Sequence, residues 1–309
     1  MRDNQWQGEA KRVAHAVRKR VLELTIKNNG CYLSQTLSSA DLLATLYTQS
    51  LKLGPSEGDF IPGPNPGTPG HNGILPGHGA AYNGAQAADS DRILISPAHY
   101  AVAIYATLVE TGRLSSEAFF SFNTDGSSVE MIGAEHSPGF ELTTGSFGQA
   151  VSQAGGIALA RRLNGETGRC VVFMSDGELE EGQTWEGLQC LAHYGLDNVI
   201  ICVDVNGMQC DGATSDQMQL EPINSRAESF GCKVVTLNGH DVEAIDQAIN
   251  HTDHKGQPLM VLCYTNSAQG IPLLEARKPK LHYVRFGSEA EIATYQDFLD
   301  EWDSEEVSA

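Results

Sequence analysis

Two apolar runs, Cys170-Val171-Val172-Phe173-Met174 and Val199-Ile200-Ile201-Cys202-Val203-Asp204-Val205, constrain this chain most. Runs of this kind read as parallel strands buried on both faces. The first leads into Ser175-Asp176-Gly177, and the second ends at Asn206, thirty residues past Asp176. Two such strands would bring a carboxylate and an amide oxygen to the carboxyl edge of one α/β sheet. There they can jointly hold a hard cation such as Mg²⁺ or Ca²⁺, and that cation can clamp a diphosphate. The bland alternative is an Asp that caps a helix and an Asn in a turn.

The rest of the chain alternates in the same way. Apolar residues at helical spacing fill 8–28, stopped by Asn28-Asn29-Gly30, and Ser38 with Asp41 three positions on reads as the capped start of a helix through Leu46. Strands are expected at 92–96, 169–174, 198–205, 232–237 and 258–264. Helices are expected at about 99–110, up to Leu163 after the Thr143–Gln149 segment, and at 181–194, 221–230, 241–250 and 288–303. This order implies a parallel sheet wrapped by helices on both faces, with an acidic tail at about 303–309. Gly and Pro dominate 54–80, which reads as a long loop without a core of its own.

Composition narrows the function classes. A chain of 309 residues, 41% of them apolar, can bury a large core, and one α/β domain over 1–309 is the economical reading. A formal charge of −19 argues against nucleic acid or an anionic membrane as partner. No stretch approaches the roughly 18 apolar residues of a spanning helix, and the polar start Met1-Arg2-Asp3-Asn4-Gln5 lacks a signal peptide's apolar core, so a cytoplasmic protein is expected. The seven cysteines include no CxxC pair and read as reduced thiols.

The flanks of the two strand ends sharpen the reading. Glu178-Leu179-Glu180-Glu181-Gly182-Gln183-Thr184-Trp185-Glu186 follows the first, and Gly207-Met208-Gln209-Cys210-Asp211-Gly212 follows the second. With Ser175 in place of a first Gly, the pattern resembles the thiamine diphosphate (ThDP) signature. Over about residues 10–285 the chain resembles the amino-terminal, diphosphate-binding part of the transketolase family. The resemblance implies a ThDP-binding fold and a third metal ligand, the backbone carbonyl of Met208, beside Asp176 and Asn206. Backbone donors of Gly177 and Glu178 are expected to meet phosphate oxygens.

Further site residues are carried over by the same resemblance. His99, in Ser96-Pro97-Ala98-His99, matches the histidine beside the diphosphate, and His282 matches a loop histidine near diphosphate and substrate. His136 is a third candidate for proton handling. Gly145 and Phe147 match a turn that touches the aminopyrimidine, Cys210 falls where an apolar residue packs on the thiazolium, and Glu181 matches an acidic residue linking two active sites across a dimer. Solvated readings stand beside these: an exposed helix-start carboxylate for Glu181 and a loop histidine for His282.

Departures from the family matter too. It usually writes Gly-His-Pro-Gly-Gly shortly before a Leu-Ser, and here the chain reads Gly30-Cys31-Tyr32-Leu33-Ser34-Gln35-Thr36-Leu37-Ser38. Tyr32 takes the place of the donor-contacting histidine, and Arg277, with Lys278, Lys280 and Arg285, forms a basic island that could meet a substrate anion. The family's glutamate on the aminopyrimidine resides in a following pyrimidine-binding domain, and this chain ends before that domain begins. The resemblance therefore implies one subunit of a split transketolase, moving a two-carbon ketol unit from a ketose phosphate to an aldose through a ThDP carbanion. A separate pyrimidine-domain subunit and a heterotetramer are the expected partners. A sulfonated donor such as 6-deoxy-6-sulfofructose, and a catalytically inactive ThDP-binding scaffold, are the alternatives.

Overall fold

The computed structural model describes residues 5–65 and 79–308. Its frame is a five-stranded, all-parallel sheet in the order β1-β2-β3-β7-β6, made of β1 (Arg92–Ile95), β2 (Cys170–Ser175), β3 (Val199–Val205), β6 (Lys233–Asn238) and β7 (Leu259–Tyr264). Every residue of β2 and β3 is buried, which is why these runs are apolar throughout and not alternating. They lie side by side, with Ser175 opposite Asp204, so Asp176 and Asn206 emerge together at the carboxyl edge. A two-stranded hairpin, β4 (Met208–Gln209) with β5 (Gly212–Ala213), rises just beyond Asn206 and adds to the expected elements.

Helices cover both faces. They are α1 (Gln5–Asn28), α2 (Leu33–Thr45), α3 (Ala101–Glu110), α4 (Ser116–Phe119), α5 (Gln149–Leu163), α6 (Gly182–His193), α7 (Thr214–Gln217), α8 (Ile223–Ser229), α9 (Val242–His251) and α10 (Glu289–Ser308). One apolar core joins α1, α2, α3 and α9 to one face of the sheet, and a second joins α5, α6 and α8 to the other. Side chains alternate between them along β2: Val171 and Phe173 enter the first, while Cys170, Val172 and Met174 enter the second. Small residues let α5 approach closely; a Cβ on Gly155 would lie 2.6 Å from a Leu191 methyl of α6.

The expected parallel α/β fold is what the chain adopts, and three local expectations are revised. Ser38 is not a helix cap: α2 begins at Leu33, and Ser38 lies inside it with its hydroxyl turned to Asp204 at 2.6 Å. Asp41 faces Arg18 and His240, not the backbone. Nothing in Asp303-Ser304-Glu305-Glu306 breaks a helix, and α10 runs on to Ser308. Of the Gly/Pro-rich loop, 54–65 carries no helix or strand, and 66–78 falls outside the described residues. Among the described residues no helix is long and apolar enough to cross a membrane.

Candidate functional site

The carboxyl edge of the sheet opens into a cleft of about 410 Å³, lined by Asp176 and Gly177 after β2, Asn206, Met208 and Cys210 after β3, His99 and Tyr100 after β1, and Phe147, Glu181, Gln35 and His282 from other segments. Asp176 is buried, with Oδ1 accepting the N–H of Gly177 at 2.9 Å and Oδ2 that of Gly207 at 2.8 Å. These bonds tie the ends of β2 and β3 together. They still leave lone pairs on a carboxylate that has no Lys or Arg partner among the described residues.

Asn206 is aimed by its surroundings. Its Nδ2 donates to Asp204 Oδ2 at 3.1 Å and to the Tyr100 hydroxyl at 3.0 Å, while Oδ1 lies on the opposite side and accepts the Met208 N–H at 2.9 Å. Asp204 is fully buried and is held by the hydroxyls of Ser38 at 2.6 Å, Tyr100 at 2.7 Å and Thr265 at 2.6 Å. An acceptor-only carboxylate behind Asn206 compels the amide nitrogen to point inward and the amide oxygen outward. Burial, then the nearby Asp204 carboxylate, pushes the Asp176 carboxyl up to about 7. Two close buried carboxylates without a cation are electrostatically unfavourable, and a divalent ion at Asp176 and Asn206 would relieve that.

Asp176 and Asn206 thus bring one carboxylate and one amide oxygen to the same edge, and among the described residues no cluster of three His, Cys, Asp or Glu gathers to hold a metal. Oxygen donors of this kind suit a hard cation. Open space lies beside them, since Cβ atoms built on Gly177 or Gly207 would meet nothing within 4 Å. No Lys or Arg is among the residues lining the cleft.

His99 and His282 converge from β1 and from the loop after β7, their rings 5.0 Å apart. Tyr32 packs beside them, its ring 6.0 Å from that of His99 and 5.4 Å from that of His282. Phe147 packs edge-on to His99 at 5.6 Å, and Gly145, two residues earlier, has φ near +100°, a region that favours glycine. Burial, with His282 as second cause, holds the His99 pKa down at about 3. Burial lowers that of His282 too. Both imidazoles are therefore neutral donors and acceptors at physiological pH.

Three expected site residues lie elsewhere. His136 sits apart from the other two histidines, its Nε2 2.6 Å from Glu130, in a cavity lined with Tyr82 and Glu57. Arg277 is turned to Glu291 of α10 and to the Arg285 carbonyl, at 2.6 Å from the latter, so its guanidinium is satisfied by an ion pair to the closing helix. Glu178 offers no free N–H to the cleft. It forms a reciprocal capping box with Ser175, and its buried carboxylate gathers the Ser175 N–H at 2.9 Å, the Ser96 hydroxyl and the Gly148 N–H at 3.3 Å. In that role it fastens the segments carrying His99 and Phe147. Glu181 is exposed at the start of α6 and Cys210 is exposed at the cleft edge.

Known proteins point the same way. The profile described as "Transketolase, thiamine diphosphate binding domain" matches residues 80–305. A putative uncharacterized transketolase family protein of Sinorhizobium fredii is 32% identical over 275 residues, 88% of each chain. An apulose-4-phosphate transketolase subunit of Actinobacillus succinogenes is 29% identical over 92% of this chain and 94% of its own. A 6-deoxy-6-sulfo-D-fructose transketolase subunit of Clostridium sp. is 29% identical over 85% and 87%. The crystal structure of transketolase from Campylobacter jejuni superposes with a TM-score of 0.74 at 22% identity over 97% of this chain, which spans 43% of that longer chain. By its fold and by a profile match across most of its length, the chain belongs to the transketolase family, as a thiamine diphosphate-binding domain of that family.

Proposed function

We propose that this chain is the diphosphate-binding subunit of a two-subunit transketolase that moves a two-carbon ketol unit from a ketose to an aldose. The observation that carries the reading is the meeting of Asp176 and Asn206, at the ends of adjacent strands, with His99 and His282 in one cleft. Asp176, the Asn206 amide oxygen and the Met208 carbonyl would hold Mg²⁺ or Ca²⁺, and that ion would carry the diphosphate. ThDP bound there would supply an acidic ring carbon, the source of a carbon nucleophile for ketose chemistry.

This chain's residues position and solvate that chemistry. Gly145 and Phe147 supply the turn and ring against the aminopyrimidine, Cys210 packs at the thiazolium side, and His99 and His282 donate hydrogen bonds to diphosphate and substrate oxygens. Tyr32 meets the donor with a hydroxyl. Glu181, exposed at the start of α6, faces a second copy. A separate chain supplies the pyrimidine-side glutamate and most anion contacts, in a complex of two copies of each subunit. We read the enzyme as cytoplasmic, since seven cysteines without a CxxC pair are expected to be reduced thiols.

The test is reconstitution. The purified chain with ThDP and Mg²⁺ should give no ketol transfer until the partner subunit is added, and turnover on the order of 10 per second from the chain alone would overturn the split reading. His282→Ala in the assembled enzyme should slow donor cleavage about 10²-fold while ThDP stays bound. A sulfonated ketose donor is the second reading, favoured by Tyr32 and by the relative named for such a substrate. A donor screen comparing phosphorylated and sulfonated ketoses decides between them.

A further inference from the structure

The ring of His282 has its back to Gln35. The Gln35 side-chain nitrogen lies 3.1 Å from His282 Nδ1 and 2.9 Å from the His282 backbone carbonyl, while Gln35 Oε1 faces the Ser34 hydroxyl at 3.1 Å. A carbonyl oxygen only accepts, so the Gln35 atom beside it must be the NH₂ group. That group has two protons, one for the carbonyl and one for Nδ1. Nδ1 must then be the accepting nitrogen, and the ring proton belongs on Nε2.

Gln35 is well placed to enforce this. It lies on α2, only 4% exposed, and the neighbouring Ser34 hydroxyl is anchored to the Leu281 carbonyl at 2.6 Å, so the loop and helix are joined on both sides of the contact. With Tyr32 at the place of the family's histidine, Gln35 falls on the last glycine of the Gly-His-Pro-Gly-Gly segment, and a glycine has no amide to give. The device belongs to the segment in which this chain departs from the pattern that the family resemblance implies.

We propose that Gln35 is a positioning residue that locks His282 as a neutral imidazole with its proton on Nε2. His282 then enters the cleft as a hydrogen-bond donor to diphosphate or substrate oxygens and does not act as an imidazolium acid. This rests on the reading of the cleft as a cofactor site, but the lock itself exists without cofactor. The groups facing His282 are His99 and Tyr32, with the Asp211 carboxylate the one neighbour that favours a charged ring. Burial opposes Asp211 and outweighs it, lowering the His282 pKa, and a second proton at Nδ1 would be aimed at an N–H.

Long-range ¹H–¹⁵N spectra of the full chain labelled at histidine nitrogens test this, with His282 identified by the signal lost in His282→Gln. The expected pattern is a single neutral tautomer, pyrrole-like at Nε2 and pyridine-like at Nδ1, persisting as pH falls below the ordinary histidine range of about 6.5. Gln35→Met should mix the tautomers, and Gln35→Glu should place a proton on Nδ1. A wild-type Nδ1–H tautomer, or a pattern unchanged in Gln35→Met, would overturn the lock. The wild-type spectrum decides even if a variant fails to fold. Adding ThDP and Mg²⁺ to the chain assembled with its partner separates the two ideas: the expected tautomer without cofactor binding in that complex would sink the functional reading and leave the lock standing.

Discussion

Asp176 is the charged donor of the candidate metal set, and Asp211 lies beyond it on the hairpin turn. Asp176→Ala should abolish Mg²⁺-dependent ThDP binding in the assembled protein, whereas Asp211→Ala should weaken it far less; titration calorimetry on both variants checks this, and unchanged affinity in Asp176→Ala would remove the metal assignment. His99 gives a pH signature. Above about 6.5 its ring is neutral whether the chain is folded or not, but below that the unfolded chain takes up a proton that the buried ring, with its pKa near 3, refuses. Stability should therefore fall as pH drops from about 6.5 toward 3, by up to about 1.4 kcal/mol per unit from this group. Thermal melts of the chain and of His99→Gln across that range should converge at neutral pH and diverge in acid. Asp176, Asn206, His99 and His282 are legible in the sequence because each ends a strand or sits in a recognisable string. Asp204, Tyr100 and Gln35 are not, because their meaning lies in partners 166, 104 and 247 positions away. No local pattern announces such contacts.

At the scale of elements, strand positions are readable because β2 and β3 are buried on both faces and so carry an unbroken apolar code. The start of α2 is not. Ser38 reads as a cap because Ser with an acidic residue three positions on is a local signal, and a tertiary bond to Asp204 outcompetes it. Glu178 shows the reverse, a residue that reads as a helix-start backbone donor but ties three segments together. Glu178→Gln would set an NH₂ against the N–H of Ser175 or Gly148 and should cost about 1–3 kcal/mol, seen as a lower denaturant midpoint. An unchanged midpoint would show that this carboxylate is not what joins β1, β2 and the Phe147 loop. Gly148 belongs to the same joint. Its φ is near +80°, and a Cβ there would lie 2.7 Å from the Thr184 hydroxyl, so Gly148→Ala should disturb the joint from the other side.

On the scale of the whole molecule, the cleft lies at one edge of a sheet that is otherwise wrapped in helices, and an obligate partner covering it would bury on the order of 2,000 Å² or more. Sedimentation of the chain with and without its partner should show the isolated chain self-associating and the mixture settling at two copies of each; a stable, fully active monomer would contradict this. The cleft wall has one more consequence. It presents carboxylates and no Lys or Arg, on a chain whose formal charge is −19, so a bare diphosphate approaches uphill. On the function proposed above, the species expected to dock is the cation and the cofactor already paired, with its charge largely cancelled. Capture of that pair should be nearly indifferent to ionic strength, while metal-free cofactor should arrive faster as salt is raised, the opposite of the dependence shown by proteins that draw phosphates in with basic side chains.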